Sequence, residues 1–396
     1  YMISYTHDSE DGILMNTSNR RNTFRVKFEQ NLAKGLDLRT NVTFYQNKKQ
    51  GEITSGNTLN KALQYRPVAN IDASEDELID AIEDPIGNSL QNPKASQLSQ
   101  LRQRTNKNLT MDAVLSYRFL KDKMTLTVSG SGSWGDGRTD AFDDATSSAA
   151  GTKGGPFGSQ KYDEKFQWQN TNTLSYADSF GKHHLNVMLG NELVFTQSRS
   201  LKAANNQFPD DNFGIYDLSL GSLPQKPESS FDETGLVSYF ARAFYNFDDR
   251  YLLTMTLRTD GSSKFAKENR FGWFPSASAA WRISEEEFMK PLQRVISSLK
   301  LRASYGQSGN NRIGNNRYSS IFESNWYANG SSEIPSLISK TLGNPGLKWE
   351  TTVSANIGLD FGLFNNRISG TVEVYKNKTK DLLLTADVTP TRGYTK

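Results

Sequence analysis

The feature that most constrains this chain is a hairpin pattern over residues 232–260, two alternating stretches joined by a turn at Asp248-Asp249-Arg250. On the first stretch Val237, Tyr239, Ala241, Ala243, Tyr245 and Phe247 share one parity, against Ser238, Arg242 and Asn246, with Phe240 and Phe244 among them. After the turn, Tyr251, Leu253, Met255 and Leu257 alternate with Thr254, Thr256, Arg258 and Asp260. Successive strand side chains point to opposite faces, so each strand has an apolar and a polar side. The apolar side runs about ten residues and gathers aromatics at the turn end, the dressing of a strand that crosses an outer membrane.

The same pattern recurs along the chain. Phe24, Val26 and Phe28 alternate with Arg25, Lys27 and Glu29; Leu36, Leu38, Val42 and Phe44 follow after a turn. Met111, Ala113, Leu115, Tyr117 and Phe119 precede a turn at Lys121-Asp122, and Met124, Leu126 and Val128 then alternate with Thr125, Thr127 and Ser129. Further hairpins are expected over residues 166–195 and 353–374, with single strands from Trp273 to Ile283 and from Leu299 to Tyr305. Segments 48–106, 138–160, 201–230 and 310–344 read as loops, the first with short helices over 58–65 and 75–82. Ser284 and Glu287 have the spacing of a capping box that opens a short helix limited by Pro291.

Short turns and long loops alternate through about thirteen strands, as in outer-membrane barrels, whose turns are periplasmic and loops extracellular. The turns at Lys34, Asp122, Lys182, Asp249, Glu286 and Asn365 are therefore assigned to the periplasm. The segments around Asn70, Ala150, Phe213, Lys267 and Trp326 are assigned to the outside. The expected fold is an all-β transmembrane antiparallel barrel, with Leu126 and Leu253 facing lipid near mid-bilayer and Thr127 and Thr254 facing the lumen. Strands past ten residues with one polar face argue against a soluble sandwich. Beginning inside a strand pattern at Tyr1 and ending in a polar segment at Lys396, the chain reads as part of a larger barrel.

Composition removes other classes. Mean hydropathy is -0.63 and no apolar run suits a membrane helix, a test that a barrel with a polar lumen escapes. A net charge of +3 is too balanced to point to nucleic acid. The absence of cysteine removes disulfides and thiolate metal sites.

Several segments resemble the SusC/RagA family of TonB-dependent outer-membrane transporters of Bacteroidetes. They include Ser238-Tyr239-Phe240-Ala241-Arg242, Leu257-Arg258-Thr259-Asp260-Gly261-Ser262-Ser263 and Gly272-Trp273-Phe274-Pro275-Ser276. Leu299-Lys300-Leu301-Arg302-Ala303-Ser304-Tyr305-Gly306 and Asn344-Pro345-Gly346-Leu347-Lys348-Trp349-Glu350-Thr351 continue the series. The resemblance is strongest from Gly235 onward. It implies a barrel of roughly 22 strands holding an N-terminal plug. It also implies TonB-ExbB-ExbD coupling through that plug, a SusD-like surface lipoprotein as lid, and import of oligosaccharides or oligopeptides across the outer membrane of a Gram-negative bacterium. The plug and the C-terminal strands are expected to lie outside this sequence. A passive porin and a surface adhesin are the alternatives from other classes.

No catalytic constellation is legible. His183 and His184 are adjacent in a strand, point to opposite faces and make poor joint metal ligands. The acidic run from Asp72 to Asp84 lacks EF-hand spacing; calcium in that loop is the one cofactor reading left, beside that of a solvated helix face. Gly130 and Gly132 fall inside a strand and read as close-packing positions rather than a phosphate loop. Ligand-binding candidates are the outer-loop residues Tyr65, Arg66, Tyr318, Phe322, Trp326 and Tyr327, since flat aromatic faces suit sugar rings and arginine suits carboxylates. Packing within the loops or against the lipoprotein is the plainer reading. Arg242, Arg258, Asp260 and Arg302 are expected to face the lumen.

Overall fold

The computed structural model of the protein describes residues 1–51, 60, 62–65, 82–83, 89–90, 92–211, 214–330 and 332–386. Its chain runs through β1 (Met2–Asp11), β2 (Ser18–Ala33), β3 (Leu36–Gln50), β4 (Ile82–Glu83), β5 (Ser89–Leu90) and β6 (Gln100–Phe119). It continues through β7 (Met124–Asp143), β8 (Phe157–Phe180), β9 (His183–Asn206), β10 (Leu223–Pro224), β11 (Glu228–Phe247) and β12 (Tyr251–Ser262). Last come β13 (Phe271–Arg282), β14 (Ile296–Asn310), β15 (Ile321–Asn329), β16 (Ser332–Thr341), β17 (Glu350–Leu363) and β18 (Ile368–Lys380).

One antiparallel sheet carries the architecture, in the order β1-β2-β3-β6-β7-β8-β9-β11-β12-β13-β14-β17-β18, with the two-residue β10 added beside β9. Each strand of that series pairs with its neighbour in sequence, and β1 and β18 are unpaired on their outer sides among the described residues, so the barrel is open. An up-and-down wall of this kind needs only local hairpins and long returns, which is why turns and loops alternate.

Register confirms the parity read from the sequence. Tyr245 faces Leu253, Ala243 faces Met255 and Ala241 faces Leu257 across β11 and β12; Ala279, Ala277 and Pro275 of β13 extend those rows. Directly paired residues share a face, so one apolar surface crosses three strands. At the short-turn end it finishes in a chain of rings. Phe180 stacks on His183 at 5.2 Å, His183 lies 4.9 Å from Phe247, Phe247 6.2 Å from Tyr251, and Tyr251 6.4 Å from Trp281. At the other end of the same face Trp168 lies 6.4 Å from Phe195. The positions from Phe166 to Tyr176 span about 34 Å along β8, or about 24 Å across a bilayer at the usual strand tilt. That is the height of an outer-membrane apolar band.

The apolar face holds a cluster of three amides. Asn172 Nδ2 donates to Asn170 Oδ1 at 2.7 Å and to Asn191 Oδ1 at 3.4 Å, and Asn170 Nδ2 donates to the Ser129 carbonyl at 3.0 Å. Amides that bond one another lower the cost of leaving water.

Several expectations are corrected. The strands run further than the apolar parity shows: β7 reaches Asp143, β8 begins at Phe157, and β9 reaches Asn206. Beyond the apolar band both faces are polar, and the alternation that marks the strand disappears. The segment 310–344 is not all loop, since it holds the β15–β16 hairpin, a separate two-stranded sheet. Ser284 is not a helix cap; it is buried within a 3-10 turn, Ile283–Glu285, and no side chain caps either that turn or Glu287–Leu292. Gly130 and Gly132 are not close-packing positions, because an added Cβ at either meets nothing within 4 Å. Leu253 lies one pair from the ring of Tyr251, nearer the interface than expected; Met255, two positions on, is more central. Residues 60 and 62–64 are helical as expected for 58–65, Ile82 is in β4, and the rest of the acidic run up to Asp84, with the markers Asn70 and Phe213, lies outside the described residues apart from Glu83 in β4.

Candidate functional site

Two regions gather the residues able to handle a solute: the polar face of the wall and the crown at its long-loop end.

On the polar face, β11 and β12 set Ser238 opposite Asp260, Phe240 opposite Arg258 and Arg242 opposite Thr256. Arg258 Nε donates to Asp260 Oδ1 at 2.8 Å and Oδ2 at 3.0 Å, and Nη2 donates to Ser238 Oγ at 2.9 Å. A second carboxylate, Glu192 on β9, lies 3.6 Å from Arg258 Nη2, and the guanidinium stands 5.5 Å from the Phe240 ring centroid. Phe240 in turn lies over Gly190, where a Cβ would collide with the ring. Ser238 is wholly buried and Asp260 is 7% exposed. This cluster is a strut: the cation is neutralised within the wall and its Nε and Nη2 donors are committed.

Arg302 is similar. Its Nε and Nη2 donate to the two oxygens of Asp360 at 2.8 Å and 3.1 Å, and Nη2 also reaches Glu373. Gly358 clears the space, since a Cβ there would sit 3.0 Å from Arg302 Cζ. Arg242 differs: it is exposed and has no ion-pair partner among the described residues. Of the four polar-face residues singled out in the sequence, it is the one whose charge is free.

At the long-loop end, β15 carries three of the aromatic candidates, all more than half exposed. Strand parity puts Phe322 and Trp326 on one face of the β15–β16 hairpin and Tyr327 on the other. Tyr318 is half-buried in the preceding turn, and Lys226 Nζ donates to Ser324 Oγ at 3.0 Å, tying the hairpin to the connection before β11. Tyr65 is half-buried at the end of its helical turn and makes a contact of its own, so it does not join this hairpin as a free ring. Arg66 lies outside the described residues.

Two small cores pin the loops. Phe265, Phe274 and Trp349 pack together, with Trp349 Nε1 donating to the Arg270 carbonyl at 2.7 Å. Phe142, Phe208 and Ile215 form the other, beside Asn205, whose Nδ2 donates to the Leu218 and Gly221 carbonyls at 2.8 Å and 2.7 Å. The late motifs around Gly272-Trp273-Phe274 and Lys348-Trp349-Glu350 therefore do structural work, holding the returns over the wall. Among groups outside the strands, Asp217 is held below its ordinary pKa by hydrogen bonds from the Ser219 side chain and backbone, and Asp248 by the Lys182 ammonium.

The histidines stay apart as expected. His183 shares a 2.6 Å contact with the Tyr245 hydroxyl, while His184 meets Ser179 Oγ at 2.8 Å on the opposite face. Among the described residues no three metal-ligating side chains converge. Sequence reasoning missed a polar-face groove between β6, β7 and β8, lined by Arg104, Asn106, Lys161 and Lys165 around Gly135 and Gly137. Continuing the parity of Thr127 and Ser129 along β7 is the signal that leads to it.

Comparisons with known proteins agree with this geometry. The family described as "TonB dependent receptor-like, beta-barrel" matches residues 45–396. "TonB-dependent receptor P26" of Formosa agariphila is 30% identical over all of this chain and 40% of its own length. "TonB-dependent receptor SusC" of Bacteroides thetaiotaomicron is 44% identical over 37% of this chain and 15% of its own. A solved RagAB peptide importer in an open-open state superposes with a TM-score of 0.79 at 23% identity, covering 99% of this chain and 43% of that one. The chain thus spans about two fifths of the length of the full-length relatives.

Proposed function

Because the chain belongs to the TonB dependent receptor-like β-barrel family, we propose that it forms part of the wall of an outer-membrane importer of nutrients, with oligosaccharides as solute. The observation that carries the reading is the two-faced wall. An aromatic-edged apolar face lies back to back with a face bearing Arg242, Arg258, Asp260 and Arg302. The first suits outer-membrane lipid and the second a water-filled lumen.

In this reading the solute is first held at the crown, where Phe322, Trp326 and Tyr327 offer flat apolar surface to sugar rings. A SusD-like surface lipoprotein closes over the long loops. TonB-ExbB-ExbD, acting through a plug domain supplied by the remainder of the protein, opens the lumen. The polar wall then passes the solute, with the Arg258 and Arg302 struts keeping the strands in register and Arg242 exposed along the path.

The test is purification of the tagged full-length protein from outer membranes. A stoichiometric lipoprotein partner and binding of oligosaccharides are expected. Binding of peptides instead would replace the solute; a barrel without a lipoprotein or energy-dependent uptake would favour a porin or adhesin.

A further inference from the structure

Across the polar face at the long-loop end, β7 presents Gly135 and Gly137. Register places Asn108 and Asn106 of β6 beside them on one side, and Lys165 and Asp163 of β8 on the other. A Cβ at position 135 would lie 3.2 Å from Asn108 Nδ2, and one at 137 would lie 3.1 Å from Asn106 Oδ1. The glycines thus keep a low floor between two taller strands, and the result is a groove of about 770 Å³. One row further toward the short turns, Trp134 pairs with Phe166 on the other face, so the groove opens at the rim of the apolar band.

Its charge is unbalanced. Lys161 pairs with Asp163 at 2.8 Å and Lys202 with Glu228 at 2.9 Å. Arg104 and Lys165 have no carboxylate within 4.0 Å among the described residues; Arg104 Nε donates only to Asn106 Oδ1, at 3.2 Å. An ordinary solvated charge run balances or disperses its cations. Here two cations without an ion-pair partner among the described residues flank a floor cleared by glycine, with amide and hydroxyl groups between them and one carboxylate, Asp163, which is paired with Lys161 and also attracts Arg104. A cationic recess in a low-dielectric wall raises the local concentration of anions.

Resting on the import reading above, we propose that this groove is a subsite for carboxylates carried by the imported solute, with Arg104 at one end of it and Lys165 at the other. The planar guanidinium suits a carboxylate through paired N–H donors, the ammonium supplies a point charge, and Asn106 and Asn108 hydrogen-bond the neutral part of the chain.

The experiment measures binding to the purified full-length protein with four probes: an oligogalacturonate, a polyglutamate peptide, and the methyl ester of each. Wild-type protein is expected to prefer a carboxylated probe to its ester, and to lose that preference as salt rises. In the R104Q/K165Q double variant the ratio of carboxylate to ester affinity should fall about tenfold. Asp163→Asn, which removes a competing carboxylate, should raise the ratio, a direction that misfolding cannot produce. The oligogalacturonate and peptide arms identify which kind of molecule carries the charge. An unchanged ratio in both variants, or a wild-type protein that binds no carboxylated probe better than its ester, overturns the subsite. Absence of TonB-dependent uptake of every probe in cells would instead overturn the import reading on which it rests.

Discussion

The Trp281 indole Nε1 donates to Glu286 Oε1 at 2.9 Å, and the Tyr251 hydroxyl donates to the same oxygen at 2.6 Å. Arg250 Nη1 donates to the other oxygen at 3.3 Å. One carboxylate therefore closes the end of the aromatic chain where β12, β13 and the following turn meet, and fixes which way two girdle rings face. Glu286 is also why no capped helix starts at Ser284: its backbone is extended, which splits the segment into two 3-10 turns.

The Tyr251 hydroxyl first, then the Trp281 indole and Arg250, hold the Glu286 carboxyl below its ordinary pKa. A depressed carboxylate contributes stability above its unfolded value, about 4.3, and loses it as the pH falls through the folded value. Glu286→Gln should accordingly lower the urea midpoint of the detergent-solubilised barrel at pH 7. The gap between variant and wild type should be full above about 4.3 and narrow as the pH falls from there through the depressed folded value. A gap that stays constant across that window would remove the carboxylate from the account.

Substitution at matched depth separates the two faces. Met255→Arg, central on the apolar face, should cost roughly 2–4 kcal/mol of barrel stability, whereas Thr254→Arg, next door on the polar face, should cost far less. Equal costs in unfolding titrations would sink the facing assignment.

Close packing at the crown is equally specific. A Cβ at Gly309 would collide with the ring of Phe274, which is 6% exposed and held by Phe265 and Trp349. Overpacking a rigid site of this kind costs about 1–3 kcal/mol. Gly309→Ala should therefore lower the unfolding midpoint, and adding Phe274→Leu should restore part of the loss. Gly130→Ala, which meets open space, is the control expected to have little effect.

The β15–β16 hairpin is a sheet of its own, so its rings can be changed without disturbing the wall. Phe322→Ala combined with Trp326→Ala should weaken solute binding roughly threefold to tenfold, the worth of one or two ring contacts. Heat-modifiable mobility of the barrel should stay as in wild type. Undiminished binding would assign these rings to packing alone.

Inside the apolar band the fold was legible, because Leu253, Met255 and Leu257 can alternate with threonine and arginine only if one face leaves water. Outside it the signal fades. Asp136, Arg138 and Asp140 are polar beside equally polar neighbours, so β7 gave no sign that it continues to Asp143. The β15–β16 hairpin was hidden in the same way, with Pro335 and a polar sequence suggesting loop. Parity put Arg258 and Arg302 on the polar face but could not show that Arg258 folds back along its own strand onto Asp260, or that Arg302 reaches Asp360 on the neighbouring strand, since the first depends on a rotamer and the second on register. The cationic groove was hardest to read, being defined by what Gly135 and Gly137 lack.

Orientation across the membrane can be measured with single cysteines placed in a background from which any cysteine outside residues 1–396 has been removed, since these 396 residues contain none. Single cysteines at Ser336, on the long-loop hairpin, and at Asn365, in a short turn, would be introduced into the full-length protein and exposed in intact cells to a membrane-impermeant maleimide. Labelling is expected at position 336 in intact cells, and at 365 only after the outer membrane is permeabilised. Labelling of 365 in intact cells, with 336 protected, would contradict this orientation.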